Sequence, residues 1–155
     1  MNIFLLDRDI GLNVQYHCDK HVVKMILESA QLLSSVHHVQ GNPQGYALTH
    51  KNHPCAVWAR YSQENYDWLL EFTLTLGDEY TYRYGKIHKS IGVVENLPHP
   101  NLPYLGLTEH PKCVADDLKH IEDVVEAYRA YYIRDKGYIC KWTDRNIPEW
   151  FEFPA

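Results

Sequence analysis

The sequence predicts a single, mainly α-helical domain: a compact bundle of about three long helices. One reason is size, because 155 residues make one ordinary domain with enough chain to bury a core. A second is that apolar residues recur at three- and four-residue steps over long stretches, which is the period of an amphipathic helix. A third is composition, since 45% apolar residues with 8 Gly and 8 Pro exclude a disordered or low-complexity chain. We therefore expect residues 1–155 to form one domain.

The first helix is expected from about Ile10 to Val39, a stretch without proline, and the Gly41-Asn42-Pro43 run ends it. Residues 2–6 before it read as an apolar leader packed under the helix rather than as a strand. The predicted inward positions follow helical spacing and are Leu12, Tyr16, Val23, Ile26, Leu27, Ala30 and Leu33.

A second helix is expected to begin at Pro54, with Asn52 or His53 as its cap, and to reach Gly85. Its predicted inward positions are Val57, Tyr61, Trp68, Phe72 and Leu76. Four prolines in residues 86–115 predict an ordered connection. A third helix is expected over residues 116–137, followed by an aromatic tail over residues 138–153 that wraps the body.

Charge and targeting signals narrow the class of protein. Fifteen basic against twenty acidic residues give a net charge of −5, whereas proteins that grip duplex DNA usually carry a basic excess. Any contact with DNA must therefore be local. No apolar run approaches the roughly 20 residues of a membrane span, and the amino-terminal residues MNIFLLDRD carry acids where a secretion signal carries basic residues. We expect no membrane partner and a cytoplasmic protein, in the host cytoplasm if it is phage-encoded, and the four widely spaced cysteines predict free thiols.

A polar stripe on the first helix is the first candidate site. His17, Lys20, His21, Lys24 and Glu28 follow three- and four-residue steps and share one face. One interpretation is a solvated face with a Lys24–Glu28 pair. The other is catalytic: a desolvated lysine, Lys20 or Lys24, forms an imine, while Glu28 or His17 moves protons.

A metal site is the alternative use of the histidines, six of which fall between His17 and His53. His17 and His21 lie one helical turn apart, and the loop before the second helix adds His50 and His53. These four could hold a divalent metal such as zinc in a nucleotide hydrolase. No H-E-x-x-H motif supports that set, and unpatterned histidines also serve as caps or hydrogen-bonding groups.

The start of the second helix is a candidate substrate site, because free N–H groups and the helix dipole attract anions there. The polar residues at this start are His50, Lys51, Asn52 and His53, although they could also be no more than a cap. Stacking on a base is assigned to Trp58 or Tyr16. Phosphate contacts are assigned to Arg83 and Arg129, which lie among tyrosines that helical spacing also allows in the core.

Taken in order, these segments resemble the pyrimidine-dimer DNA glycosylase family, which includes the phage endonuclease V. The resemblance covers the first helix from Gln15-Tyr16-His17 to Leu33, the Asn52-His53-Pro54 helix start, and the stretch over residues 127–132. The run of residues 17–24, HCDKHVVK, is also similar to small phage proteins of unassigned activity.

The resemblance implies a helical body whose amino-terminal amine attacks C1′ of a damaged nucleotide and forms an imine, which leads to base release and strand cleavage. A glutamate on the first helix assists, and the nearest match is Glu28, later on the helix than the family pattern places it. His17 matches a histidine placed near the DNA. We expect a glycosylase or lyase acting on a damaged or modified nucleotide, in DNA or free. The alternatives are the metal-dependent hydrolase and a non-enzymatic binding protein for a host factor or small nucleotide.

Overall fold

The computed structural model describes residues 1–153, and within that range it contains helices and no strands. The mainly α prediction is confirmed. The number of helices differs from the prediction, because both long helices expected in the first half are broken. The α-helices are α1 (Ile10–Tyr16), α2 (Asp19–Val39), α3 (Pro54–Tyr61), α4 (Gln63–Tyr84), α5 (Lys89–Glu95) and α6 (Val124–Tyr131). A π-turn (Tyr132–Lys136) follows α6, and two 3₁₀ turns occupy Asp116–Leu118 and Gly137–Ile139.

The first break separates α1 from α2 at His17 and Cys18, whose backbone is extended. Distant parts of the chain stabilise it: the Asp19 N–H donates to the carbonyl of Lys141 (2.7 Å), and Arg83 bonds the carboxylate of Asp19 (3.0 Å). The break shifts the phase of the buried face. Three positions expected to point inward are therefore about 40% exposed, namely Leu12, Val23 and Leu27.

The second break falls at Ser62, between α3 and α4. Its hydroxyl accepts a hydrogen bond from the N–H of Asn65 (3.1 Å), which caps α4, and donates one to the carbonyl of Gly106 (2.8 Å). The extended backbone at Ser62 turns α3 away from the axis of α4. As a result Val57 and Tyr61, also expected inside, are 44% and 49% exposed.

The second half of the chain is less helical than predicted. Residues 116–118 form only a 3₁₀ turn, and α6 begins at Val124, where the Asp123 carboxylate accepts from the N–H of Glu126. The proline-rich connection is ordered as expected, and it contains a helix that the sequence did not predict, α5. Hydrogen bonds fasten this connection to α4, including one from the Thr108 N–H to Asn65 (2.9 Å).

The core forms around α2, which packs against α3, α4 and α5. The leader packs against α2 without regular secondary structure, and residues 3–6 are almost completely buried. This confirms the apolar leader. The aromatic tail also packs on the body: Trp142 is buried, and its indole N–H donates to the carbonyl of Tyr16 (2.8 Å). None of the helices over residues 1–153 combines the length and apolar character that crossing a membrane requires.

Candidate active site

The amino terminus of the chain lies against the middle of α2. The amino nitrogen of Met1 is 3.1 Å from Oε1 of Glu28, and both side chains are largely buried. Lys24, one turn earlier on α2, places its Nζ 3.9 Å from the other carboxylate oxygen, with 69% of its side chain exposed. The structure therefore brings a primary amine and a carboxylate into direct contact at a partly shielded position.

The amine is held in place through the next residue, Asn2. The Asn2 amide donates to the carbonyl of Cys113 (2.9 Å), and its oxygen accepts hydrogen bonds from the Ile3 N–H (2.8 Å) and the Tyr128 hydroxyl (2.7 Å). Tyr128 also accepts from the N–H of Cys113 (3.1 Å). Burial raises the pKa of Tyr128 well above 10, so the hydroxyl keeps its proton and remains a donor at neutral pH.

A cleft of about 590 Å³ opens at the amine. Its lining residues are Met1, Asn2, His53, Pro54, Pro111, Lys112, Cys113, Val114, Lys119 and Tyr131. The amino end of α3 contributes to this wall, and the positive end of its helix dipole favours an anion. Positive charge comes from Lys119, which is half-exposed and pairs with the exposed Asp116 (3.1 Å), and from Lys112, which also donates to the carbonyl of Ile121 (2.6 Å). The cleft therefore offers a local anion-binding surface on a chain of net negative charge.

His53 contributes a neutral imidazole to this wall. Its Nδ1 accepts a hydrogen bond from the N–H of Cys55 (3.1 Å) and so caps α3, as one interpretation of the sequence predicted. Burial lowers the pKa of His53 below its usual 6.5, and the positive charges of the amino terminus and His50 lower it further. With Nδ1 as the acceptor, Nε2 carries the proton and is free to donate.

Two sulfur atoms lie beside His53, that of Cys113, which lines the cleft, and that of the buried Cys55. The Sγ atoms of Cys55 and Cys113 are 3.9 Å apart, and hydrogen bonding from the Cys55 thiol lowers the pKa of Cys113 to about 7. One ligand atom from each of His53, Cys55 and Cys113 lies within 4.8 Å of the other two. Over residues 1–153, this is the one group of three His, Cys, Asp or Glu residues close enough to share a metal ion.

Comparison with protein families identifies the family of this chain. The family model described as pyrimidine dimer DNA glycosylase matches residues 1–91, more than half of the 155-residue chain. The chain belongs to this family. No curated protein and no solved structure matches it. The segment matched to the glycosylase family contains Met1, Glu28 and α3, whereas Cys113 and Tyr128 lie beyond it.

Within this glycosylase family member, His17 and His21 lie in the core rather than on a solvated stripe. His17 is fully buried, its Nδ1–H donates to the carbonyl of Asn13 (2.7 Å), and burial lowers its pKa to about 3. His21 stacks on Phe4 and its Nδ1 lies 2.6 Å from the hydroxyl of Tyr132. Both rings are thereby removed from the surface, so His17 as placed offers no group to a phosphate. Lys20 remains exposed and Glu28 is partly buried.

The four-histidine metal set is not brought together. His17 and His21 are engaged in the core, while His50 is an exposed loop residue whose Nδ1 pairs with the hydroxyl of Thr49 (2.7 Å). Only His53 belongs to the group of close ligand atoms found in residues 1–153. Helical spacing suggested the pair of His17 and His21, and the fold instead buries both rings in the core.

The two arginines predicted to hold phosphate make structural contacts. The side chain of Arg83 is fully buried and bonds the carboxylates of Glu79 (2.7 Å) and Asp19 (3.0 Å). Arg129 donates to the carbonyl of Leu6 (2.8 Å) and to Asp7, with its guanidinium over the rings of Tyr16 and Trp150. Arg129 therefore fastens the leader, as Tyr128 does.

The remaining substrate candidates divide between surface and core. Lys51 and Asn52 are exposed in the loop before α3. Tyr16 is half-buried and packs edge-on against Trp150. Trp58 is buried, stacks on His110 at 4.6 Å between ring centroids, and donates its indole N–H to Thr108.

Sequence reasoning missed several residues that line the cleft or contact its lining residues. These residues come from five separate parts of the chain. They are the positioning pair Asn2 and Tyr128, the cations Lys112 and Lys119, and the thiols of Cys55 and Cys113. The stretch over residues 127–132 did carry a signal, because the family resemblance included it. The loop residues carried none, since lysines and lone cysteines in a proline-rich connection have no distinguishing local pattern.

Proposed function

We propose that this protein excises pyrimidine dimers from DNA with the amino group of Met1 as its nucleophile and Glu28 as its proton-transfer group. The observation that carries the proposal is the 3.1 Å contact between the Met1 nitrogen and Glu28 at the edge of the cleft. Asparagine at position 2 is bulky, so we expect the initiator methionine to be retained. The amine of the family mechanism is then that of Met1.

The chemistry requires that the amine lose a proton before it attacks. The Glu28 carboxylate is within reach to accept that proton. The nitrogen bonds to C1′ as the glycosidic bond breaks, and the base leaves with the bonding electrons and takes up a proton. Opening of the sugar ring puts a proton on O4′ and leaves an imine between C1′ and the Met1 nitrogen. Loss of a C2′ proton then expels the 3′ phosphate, and water releases the amine.

The cleft supplies binding as well as chemistry. Lys112, Lys119 and the amino end of α3 favour a phosphate, and the neutral His53 can donate its Nε2–H to one. Lys51 and Asn52 extend this surface along the exposed loop. A contact area limited to the cleft is consistent with a chain of net charge −5. The negative charge elsewhere on the surface repels the phosphates of DNA and so confines DNA to the cleft.

Lys24 is the competing nucleophile, since its Nζ also lies near Glu28. Its Nζ is 3.9 Å from the carboxylate, and its flexible side chain is 69% exposed, so its position is not fixed by packing. The Met1 amine is closer and is held by the anchored Asn2. A nucleophile reacts faster when it is held close to the reacting atom in a fixed orientation. Both conditions favour the amine of Met1 over that of Lys24.

The test is borohydride trapping with the untagged full-length protein on ultraviolet-irradiated and abasic duplex DNA, with mass mapping of the adduct. We expect a single adduct on the Met1 nitrogen, retained in Lys24→Gln. Glu28→Gln should slow trapping by about 100-fold, the lower end of what a general acid or base contributes. Glu95→Gln, at the exposed end of α5, is the matched control.

Other results would contradict the proposal in identifiable ways. An adduct on Lys24 would move the nucleophile to α2. Base release without any adduct would indicate direct attack by water. Binding of irradiated DNA with neither adduct nor base release would support the non-enzymatic alternative.

A further inference from the structure

Three potential metal ligands, two of which line the cleft, come together from two distant segments. Cys55 lies in the first turn of α3, His53 caps that helix, and Cys113 lies 58 residues further along the chain. The separation of the two Sγ atoms is 3.9 Å. Two thiolates on one tetrahedral zinc, each about 2.3 Å from the metal, stand about 3.8 Å apart. The sulfur pair therefore already has the spacing of a shared tetrahedral ion.

We propose that His53, Cys55 and Cys113 bind one zinc ion. Two sulfurs and an imidazole nitrogen form the donor set that soft and borderline cations such as zinc prefer over calcium or magnesium. The ligand atoms all lie within 4.8 Å of one another, so closure around an ion requires small side-chain movements. This site does not rest on the proposed glycosylase chemistry, and it shares only His53 with the histidine set expected from the sequence.

The position of the site lets the ion link two segments of the cleft wall. It would join the beginning of α3 to the segment that carries Cys113, whose carbonyl holds the Asn2 side chain. Both segments line the cleft, and so does Met1. A bound zinc ion would therefore stiffen the wall next to the amino terminus. With three protein ligands, the fourth position is left to water from the cleft.

Metal binding must displace one hydrogen bond. Nδ1 of His53 now accepts from the N–H of Cys55, and either ring nitrogen can ligate zinc only if that cap is given up. Loss of one helix cap is a small cost beside the bonds of a zinc ion to two thiolates. Asparagine is among the best capping residues, so His53→Asn keeps the cap while it removes the imidazole.

The experiment uses the reduced, untagged full-length protein without DNA, titrated with zinc chloride and, as a spectroscopic probe, cobalt chloride. We expect one equivalent of zinc to bind, and the cobalt form to show sulfur-to-metal charge transfer and tetrahedral bands. His53→Asn and Cys113→Ser should each lower the affinity by more than about 100-fold, because even outer partners of metal ligands are worth about 10- to 100-fold. Cys140→Ser, a buried cysteine whose thiol donates to the carbonyl of Lys136, is the matched control and should bind like wild type.

A second measurement, on the wild-type protein, tests the proposal even if a ligand variant fails to fold. Zinc should protect Cys55 and Cys113 of the wild-type protein, but not Cys140, from alkylation. Substoichiometric binding in the reduced protein, or wild-type affinity in both ligand variants, would overturn the proposal. So would a Cys55–Cys113 disulfide in the isolated protein whose reduced form takes up no metal. Borohydride trapping in the presence of chelator tests the glycosylase proposal separately, so the two can fail independently.

Discussion

The hydroxyl of Tyr128 donates a 2.7 Å hydrogen bond to the side chain of Asn2, joining residues 126 positions apart. The same hydroxyl accepts from the N–H of Cys113, so one buried side chain positions both the amino terminus and the opposite cleft wall. Residues 127–132 belong to the family resemblance, yet they lie outside the segment that the family model matches. Their contacts show that this stretch holds the leader in place.

Tyr128→Phe tests this positioning role. The change removes the donor to Asn2 and leaves the Cys113 N–H without its acceptor, so we expect the free energy of unfolding to fall by about 1–3 kcal/mol. If the proposed nucleophile is correct, borohydride trapping should slow by about tenfold with the adduct still on Met1. Tyr66→Phe is the control: it removes a buried hydrogen bond to His37 (2.8 Å) on the α2–α4 interface and should lower stability without slowing trapping. Equal trapping rates in the two variants would contradict the positioning role.

Arg83→Met tests whether Arg83 is a structural residue. The substitution leaves Glu79 buried with Arg145 as its remaining partner, and Asp19 loses its bond to the guanidinium. Removing one partner of a buried ion pair costs about 3–5 kcal/mol, which urea unfolding measures. Arg145→Met, at a side chain 27% exposed, should cost less. A variant of wild-type stability with weaker DNA binding would instead make Arg83 a phosphate contact.

His110→Phe tests the dependence of stability on pH. Burial lowers the pKa of His110 to about 4, and the ring nitrogens lack hydrogen-bond partners between Trp58 and Trp68. Below pH 6.5 the unfolded chain takes up a proton that the folded chain refuses until about pH 4, so stability falls as pH falls through this window. Between pH 7 and 5 the loss from His110 is about 2 kcal/mol. His17, with a pKa of about 3, adds a similar loss over the same interval.

Phenylalanine keeps the aromatic packing of His110 and removes its titration. We therefore expect the variant to match or exceed wild-type stability at pH 7 and to lose about 2 kcal/mol less on transfer to pH 5. Urea titrations at the two pH values give both numbers. Identical pH dependence in the two proteins would show that His110 is not buried as a neutral ring.

Ser62→Ala tests the break between α3 and α4. The variant loses the cap of α4 and leaves the carbonyl of Gly106 without its donor, so we expect a loss of about 2 kcal/mol in urea unfolding. Ser62→Asn can still cap the helix, so it should retain part of the stability that Ser62→Ala loses. A neutral alanine substitution would mean that neighbouring contacts alone maintain the break.

The sequence by itself determined what depends on local pattern. Helical periodicity predicted a mainly α domain, Pro54 and His53 marked the start of α3, and the apolar leader and aromatic tail were expected to pack on the body. Family membership was also recognisable, because residues of the first helix and the Asn52-His53-Pro54 helix start resemble the family pattern in the same order. These features are short-range, so the residues that specify them are neighbours in sequence.

Only the tertiary structure decided where the helices break and which polar residues meet. The break before α2 depends on Arg83 and Lys141, more than 60 residues away, and it carries His17 into the core. The contact between Met1 and Glu28 depends on the buried path of the leader, which Tyr128 fixes from the far end of the chain. Burial and long-range hydrogen bonds produce no periodic pattern in the sequence, because tertiary packing, and not the spacing of residues along the chain, determines their partners.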